Sequence, residues 1–298
     1  NWHLLLILLG FGLGEAIFPI WLFQGKEKLE IPTKIIFTFK MLLVLSVLIF
    51  ITNNEHLLRY AFLLSAVQIM IGLTGLYFAF SKLNMEFIRV STSNLSKVIK
   101  EAFPFFIGAV FGKSFHFFAV FLIGLYFSME DVAGFDISFK IMAAIQLPFE
   151  TLSTVIFPSI ARTKNTKLNE KFIFISFALA LLLWILTYWQ SAFLISLLGG
   201  KELLVYTELL QKLSVLIPVV VLTYFLGTNT LVAFGYHKQY NYSFIIPAII
   251  YILTLIFLWK TESMSFEAIV YSRIMVDVLM AAYRLFVAVK HRLIFTSR

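Results

Sequence analysis

An all-α bundle of membrane-spanning helices is the architecture this sequence predicts, and three observations predict it. Hydrophobic residues make up 60% of the 298-residue chain and charged residues only 13%, about half the charged share of a soluble domain. Nine apolar stretches of 19 to 29 residues follow one another, and a helix needs roughly 20 such residues to cross the hydrocarbon of a bilayer. They lack the alternation of barrel strands, so helices that satisfy their own backbone groups are expected. Lys and Arg also crowd into every second gap between the stretches, which fixes an orientation.

The spans read at 2–24, 34–52, 57–80, 102–127, 132–160, 170–197, 206–234, 240–260 and 266–289. The first holds Glu15 and ends in the run Pro19-Ile20-Trp21-Leu22-Phe23-Gln24-Gly25-Lys26-Glu27-Lys28. There Pro19 interrupts the hydrogen-bond ladder, Trp21 suits the headgroup interface and Gly25 stops the helix. An interfacial anchor and a functional motif are both open readings of this run. In the second span Lys40 stands six residues beyond Lys34, within snorkelling reach of the interface. A short turn, Asn53 to His56, leads into the third.

The longest polar interval, Ser81 to Glu101, divides the chain. Residues 1–80 read as three helices of a first lobe, 81–101 as a cytoplasmic linker and 102–298 as a second, six-helix lobe. Leu95, Val98, Ile99 and Ala102 have helical spacing, so the second half of the linker reads either as an interfacial helix or as a solvated segment.

The fourth span carries Lys113, eleven residues from its cytoplasmic start and so about 16 Å deep at the α-helical rise. At that depth a lysine faces a cavity or a partner. Gly108 to Gly112 before it offers small residues for close packing, and His116 follows one turn on. The fifth span carries Lys140 about 12 Å from its outer end, with Asp136 four residues earlier as a possible ion-pair partner. It also holds Glu150 beside Pro148. Glu15 and Glu150 read as buried carboxylates, either protonated or paired. In the ninth span Arg273, Asp277 and Arg284 fall within roughly 40° of one another on the helix. One reading pairs Arg273 with Asp277 and sends Arg284 to the cytoplasmic surface.

Orientation follows from the basic residues. Lys26, Lys28 and Lys34, then Lys82, Arg89, Lys97 and Lys100, then Arg162, Lys164, Lys167 and Lys171, then Lys238, and finally Lys290, Arg292 and Arg298 give fifteen on one side. Gaps on the other side hold only Arg59, Lys201, Lys212 and Lys260. The first side is cytoplasmic and takes the C-terminus. The net charge of +8 is thus a topology signal, compatible with anionic lipid and not a sign of nucleic acid binding. With zero cysteines, disulfides and thiolate metal sites are excluded. Asn1 opens inside an apolar stretch with no signal-peptide pattern, so the chain reads as the C-terminal part of a longer protein.

The run from Pro19 to Lys28 closely resembles the Pro-x-Trp-x-Phe-Gln-Gly-x-Glu-Lys signature of the O-antigen and polysaccharide flippase family, whose superfamily also holds multidrug antiporters. Pro19, Trp21, Phe23, Gln24, Gly25 and Glu27 carry the match. A second resemblance lies at Val132 to Ile141, where Gly134 sits one position nearer Lys140 than is usual and Ser138 replaces the common alanine. Pro148 and the Phe157-Pro158-Ser159 helix end also look like family features. Twelve-helix, two-lobe members of that family imply that the nine spans here correspond to helices four to twelve.

What the resemblance implies is translocation of undecaprenyl-pyrophosphate-linked oligosaccharide across the bacterial cytoplasmic (inner) membrane by alternating access. Lys113, Lys140, Arg273 and His116 are the candidate binders of the anionic headgroup. Glu15, Glu150 and Asp277 are candidates for ion coupling, and Phe117, Tyr126, Tyr224 and Tyr236 for stacking on sugars. Membrane lipids and polysaccharide assembly proteins are the expected partners. No cofactor and no enzymatic activity are expected, and no nucleotide-binding motif appears. A multidrug antiporter of the same superfamily is the nearer alternative, kept open by the carboxylates. A membrane-embedded glycan polymerase or glycosyltransferase is the more distant one, since only Glu130 and Asp131 pair carboxylates in an outer loop.

Overall fold

The computed structural model describes residues 2–53, 56–83, 85–86, 88 and 91–295, excluding the side chains at 104, 105, 109 and 111–113. The described residues are all-helical, without strands. The chain divides into two compact units, Asn1–Val90 and Ser91–Arg298.

Unit 1 comprises α1 (Trp2–Ile17), α2 (Ile20–Gly25), α3 (Glu30–Phe50) and α4 (Leu57–Leu83). Small residues let α1 and α4 touch backbone to backbone, as membrane helices do where packing rather than the hydrophobic effect drives association. A Cβ at Gly14 would lie 2.4 Å from the Gln68 carbonyl, and one at Gly72 would lie 2.5 Å from the Gly14 oxygen. Ser65 Oγ, nearby on α4, donates to the Ile7 carbonyl at 2.7 Å. Phe18, Ile35 and Ile71 make a small core beneath.

Unit 2 begins where Ser91 caps α5 (Thr92–Tyr126), its hydroxyl accepting from Asn94 N at 3.3 Å. The second half of the expected linker is therefore the first turns of α5 itself. A capping box formed by Ser128 and Asp131 starts α6 (Met129–Thr163), which runs through Pro148 and Pro158 and ends at Lys164 in the left-handed region, φ 52°. The Lys164 ammonium donates to the Ala233 carbonyl. Next come α7 (Thr166–Trp189) and α8 (Ser191–Gly199), separated at Gln190 where one span was expected, followed by a 3-10 helix at Lys201–Tyr206.

The seventh expected span is also broken. It consists of α9 (Thr207–Ser214), α10 (Leu216–Tyr224) and a π-helical stretch, Phe225–Val232, with a 42° bend at the α9–α10 break. Gln146 donates to the Leu216 carbonyl at 3.0 Å, tying α6 to the start of α10. Within the wide π turn, the Thr230 hydroxyl donates to the Phe225 carbonyl at 2.9 Å and accepts from Asn169 of α7 at 2.8 Å. Last come α11 (His237–Lys260) and α12 (Phe266–Lys290).

Among the described residues six helical segments are long and apolar enough to cross a membrane, and a seventh if the bent pair counts as one span. They make this a multi-pass integral membrane protein. The nine-span count is not established by these segments. Charges inside α12 dilute its apolar character, and in α5 the unbroken apolar run of described side chains is Ser114–Tyr126.

Candidate functional site

Unit 2 encloses a cavity of about 460 Å³ lined by α6, α10, the π-helical stretch, α11 and α12. Polar residues turned inward at helical spacing build it. Gln146, Glu150, Ser153 and Thr154 come from α6, Thr223 and Thr228 from α10 and the π turn, and Arg273, Asp277 and Arg284 from α12.

Three of these are charged and nearly sealed from solvent, with Arg273 5%, Asp277 3% and Arg284 4% exposed. Buried charge in a membrane bundle is expensive and marks a pathway or ligand. Arg273 Nη1 donates to Asp277 Oδ2 at 2.6 Å, so the expected pair within α12 forms. Its guanidinium lies over Phe139 at 5.4 Å and Phe115 at 6.0 Å.

Arg284 departs from the reading that sent it to the surface. Its Nε donates to Ser243 Oγ at 2.9 Å and its Nη1 to the Thr223 carbonyl at 2.6 Å. Its guanidinium carbon lies 4.7 Å from the centre of the Phe244 ring and 5.0 Å from that of Tyr240. A Cβ at Gly227, in the facing π turn, would sit 2.5 Å from Nη1 and displace the end of the Arg284 side chain. The long α12 thus carries Arg284 into the bundle rather than out of it.

His116 and Lys140, the other expected binders described, do not line this cavity. His116 of α5 stacks on Phe139 at 4.0 Å between centroids, the same ring that Arg273 covers, and its Nε2 lies 3.7 Å from Asp136 Oδ1. Lys140 bonds Asp136 Oδ2 at 2.6 Å, yet its side chain is 70% exposed. Asp136 therefore joins His116 to Lys140, and Phe139 joins His116 to Arg273. The side chain of Lys113 lies outside the described residues, as do Arg89 and Arg298 of the orientation count.

Glu150 lines the cavity but is exposed, not buried as expected. Glu15 belongs to unit 1, is exposed, and accepts from Gln68 Nε2 at 2.5 Å. Both carboxylates stand on helix faces left open within their own units. The motif run is also in unit 1. Pro19 is buried at the break between α1 and α2, Phe23 is fully buried, Gln24 is half-buried, and Trp21 is 65% exposed as an interfacial anchor would be. Gly25 ends α2 and Glu27 turns the chain with φ 56°. No charged group of the cavity comes from this run. Sequence reasoning missed Gln146, Ser153, Thr228, Tyr240 and Phe244 as lining residues, because hydroxyls and rings are scattered throughout an apolar chain. The lining residues that the sequence did single out are the α12 stripe, Glu150 and Tyr224.

A sequence profile of the family described as polysaccharide biosynthesis protein matches residues 1–164. The chain belongs to this family. The match covers unit 1, α5 and α6, and stops before the helices that supply Arg273 and Arg284. A protein of Shigella dysenteriae named "Putative O-antigen transporter" is 22% identical over 243 residues, which is 80% of this chain and 61% of that protein. A protein of Escherichia coli (strain K12) with the same name is 24% identical over 238 residues, 76% of this chain and 56% of that protein. The chain thus spans about three fifths of the length of these relatives. No solved structure matches it.

Proposed function

We propose that this protein acts in a flippase that carries undecaprenyl-pyrophosphate-linked oligosaccharide, an O-antigen or related repeat unit, across the bacterial cytoplasmic membrane by alternating access. One observation carries the reading: nearly sealed guanidinium groups on α12 border a cavity of mixed polar and apolar lining inside a membrane bundle. A desolvated cation attracts phosphate far more strongly than a water-screened one does, so such groups suit a headgroup that must leave water to cross. The names of the O-antigen transporter relatives support the substrate class.

In this reading Arg273, His116, Lys140 and Lys113 contact the pyrophosphate and first sugar, while Glu150, Asp277 and Glu15 exchange protons or cations that drive the cycle. The chain acts as a transporter, not an enzyme. Helices α5 and α12 cross the membrane with the others, giving nine spans that stand for helices four to twelve of a two-lobe exporter. The C-terminus is cytoplasmic, where the Lys/Arg excess lies, and polysaccharide assembly proteins receive the product.

A leaflet-resolved assay in vesicles loaded with undecaprenyl-pyrophosphate-linked glycan tests the reading. Movement of the glycan that disappears in Arg273→Gln and Lys140→Ala, with both variants inserted normally, is the expected result. Normal surface glycan in both variants defeats the site assignment. Because Glu150 and Asp277 also line the cavity, antiport of cationic drugs is the second reading. Drug efflux without glycan movement selects it.

A further inference from the structure

Arg273 and Arg284 are eleven residues apart on α12, about 16 Å along the axis at the α-helical rise, so they mark two ends of the cavity. At the Arg273 end the charge is neutralised by Asp277. At the other end the hydrogen-bond partners of Arg284 are neutral, the Ser243 hydroxyl and the Thr223 carbonyl. Its Nη2 is buried with no hydrogen-bond partner among the described residues. Asp277 stands seven residues away on the same helix and is already engaged. Glu150, the other carboxylate of the cavity, is exposed.

A guanidinium cannot lose its proton to escape such a position, and a buried charge requires a counter-charge. Phe244 and Tyr240 flank the group at 4.7 and 5.0 Å and offer it no charge, and its planar fork of N–H donors suits carboxylate and phosphate. We infer that the Arg284 end of this cavity is a binding site for an oxyanion, a phosphate or carboxylate group, held by the Arg284 guanidinium.

The size of the cavity, about 460 Å³, lies in the range of small-molecule sites and exceeds what a bare ion fills. Gln146, Ser153 and Thr154 supply donors and acceptors for an uncharged polar body attached to the anion. A metal cation is disfavoured, because it would meet two guanidinium groups with Asp277 already engaged. The inference stands on this geometry whether or not the protein is a flippase.

The full chain, purified in detergent, is titrated calorimetrically with inorganic phosphate and separately with glucuronate, ionic strength being held constant with sodium chloride. Saturable binding of at least one is expected. Phosphate alone identifies a phosphoryl source, and glucuronate alone a carboxylate-bearing sugar. Arg284→Lys, which keeps the charge and loses the fork, weakens binding at least tenfold. Ser243→Ala, which frees Nε but keeps the guanidinium, weakens it about threefold and serves if the first variant does not fold. No saturable binding of either anion by the wild-type chain overturns the inference, as does wild-type affinity in a folded Arg284→Lys or, failing that, in Ser243→Ala. Glycan movement that persists while anion binding is absent removes this site and leaves the transport reading standing.

Discussion

Asp277 is the residue whose loss should be felt most. Asp277→Asn leaves the Arg273 guanidinium buried without its 2.6 Å partner, and breaking a buried pair on one side costs about 3–5 kcal/mol. A clear drop in unfolding midpoint in detergent is expected, largely restored when Arg273→Met is added to Asp277→Leu, because well-packed apolar groups replace such pairs without loss. Lys140 should behave in the opposite way. Its ion pair with Asp136 is largely exposed, and pairs of that kind contribute under about 1 kcal/mol. Lys140→Ala should therefore keep its unfolding midpoint and membrane insertion while losing glycan movement, and Lys140→Arg should retain both. The α12 stripe was legible because three ionisable residues share one helical face. The burial of Arg284 was not, since it depends on Gly227 and Ser243, which lie 57 and 41 positions away.

Helix α1 is held against α4 by absent side chains. Gly72→Ala pushes a methyl group into the Gly14 carbonyl, and overpacking of this kind costs about 1–3 kcal/mol. Gly12→Ala, with open space at its Cβ, is the control. Faster proteolysis of unit 1 in Gly72→Ala, with Gly12→Ala unchanged, is the expected pattern. Equal rates would contradict the close approach. At this scale the sequence was informative about where helices occur, and each expected span is helical in the described structure. Breaks inside spans were legible only at Pro19. The interruptions at Gln190 and Val215 and the widened turn after Tyr224 fall beside isolated polar residues, Gln190, Ser214 and Asn229 among them, within long apolar runs, and long-range bonds such as Asn169 to Thr230 hold the last of them in place.

The whole molecule lends itself to a direct test of orientation, because the chain contains no cysteine. Thr261→Cys, in the turn between α11 and α12, and Lys290→Cys, at the end of α12, bracket a helix of 25 residues, about 37 Å long. In intact cells an impermeant maleimide should label the first and leave the second unlabelled until the membrane is opened. Labelling of both, or of neither, would show that α12 does not cross. Membrane character was legible from composition at once. The two units part at Val90 and Ser91, inside the polar interval that follows Ser81, where Ser91 caps α5. The cavity was the least legible feature, since it is assembled from five segments with no shared motif.

The empty position at Gly227 reaches beyond this one chain. Because a Cβ there would meet the end of the Arg284 side chain, sites 227 and 284 are expected to drift together over evolutionary time. Kindred sequences that acquire alanine or serine at the first should already have exchanged the arginine at the second for something short. A lineage keeping both the larger residue and the arginine would speak against the packing described.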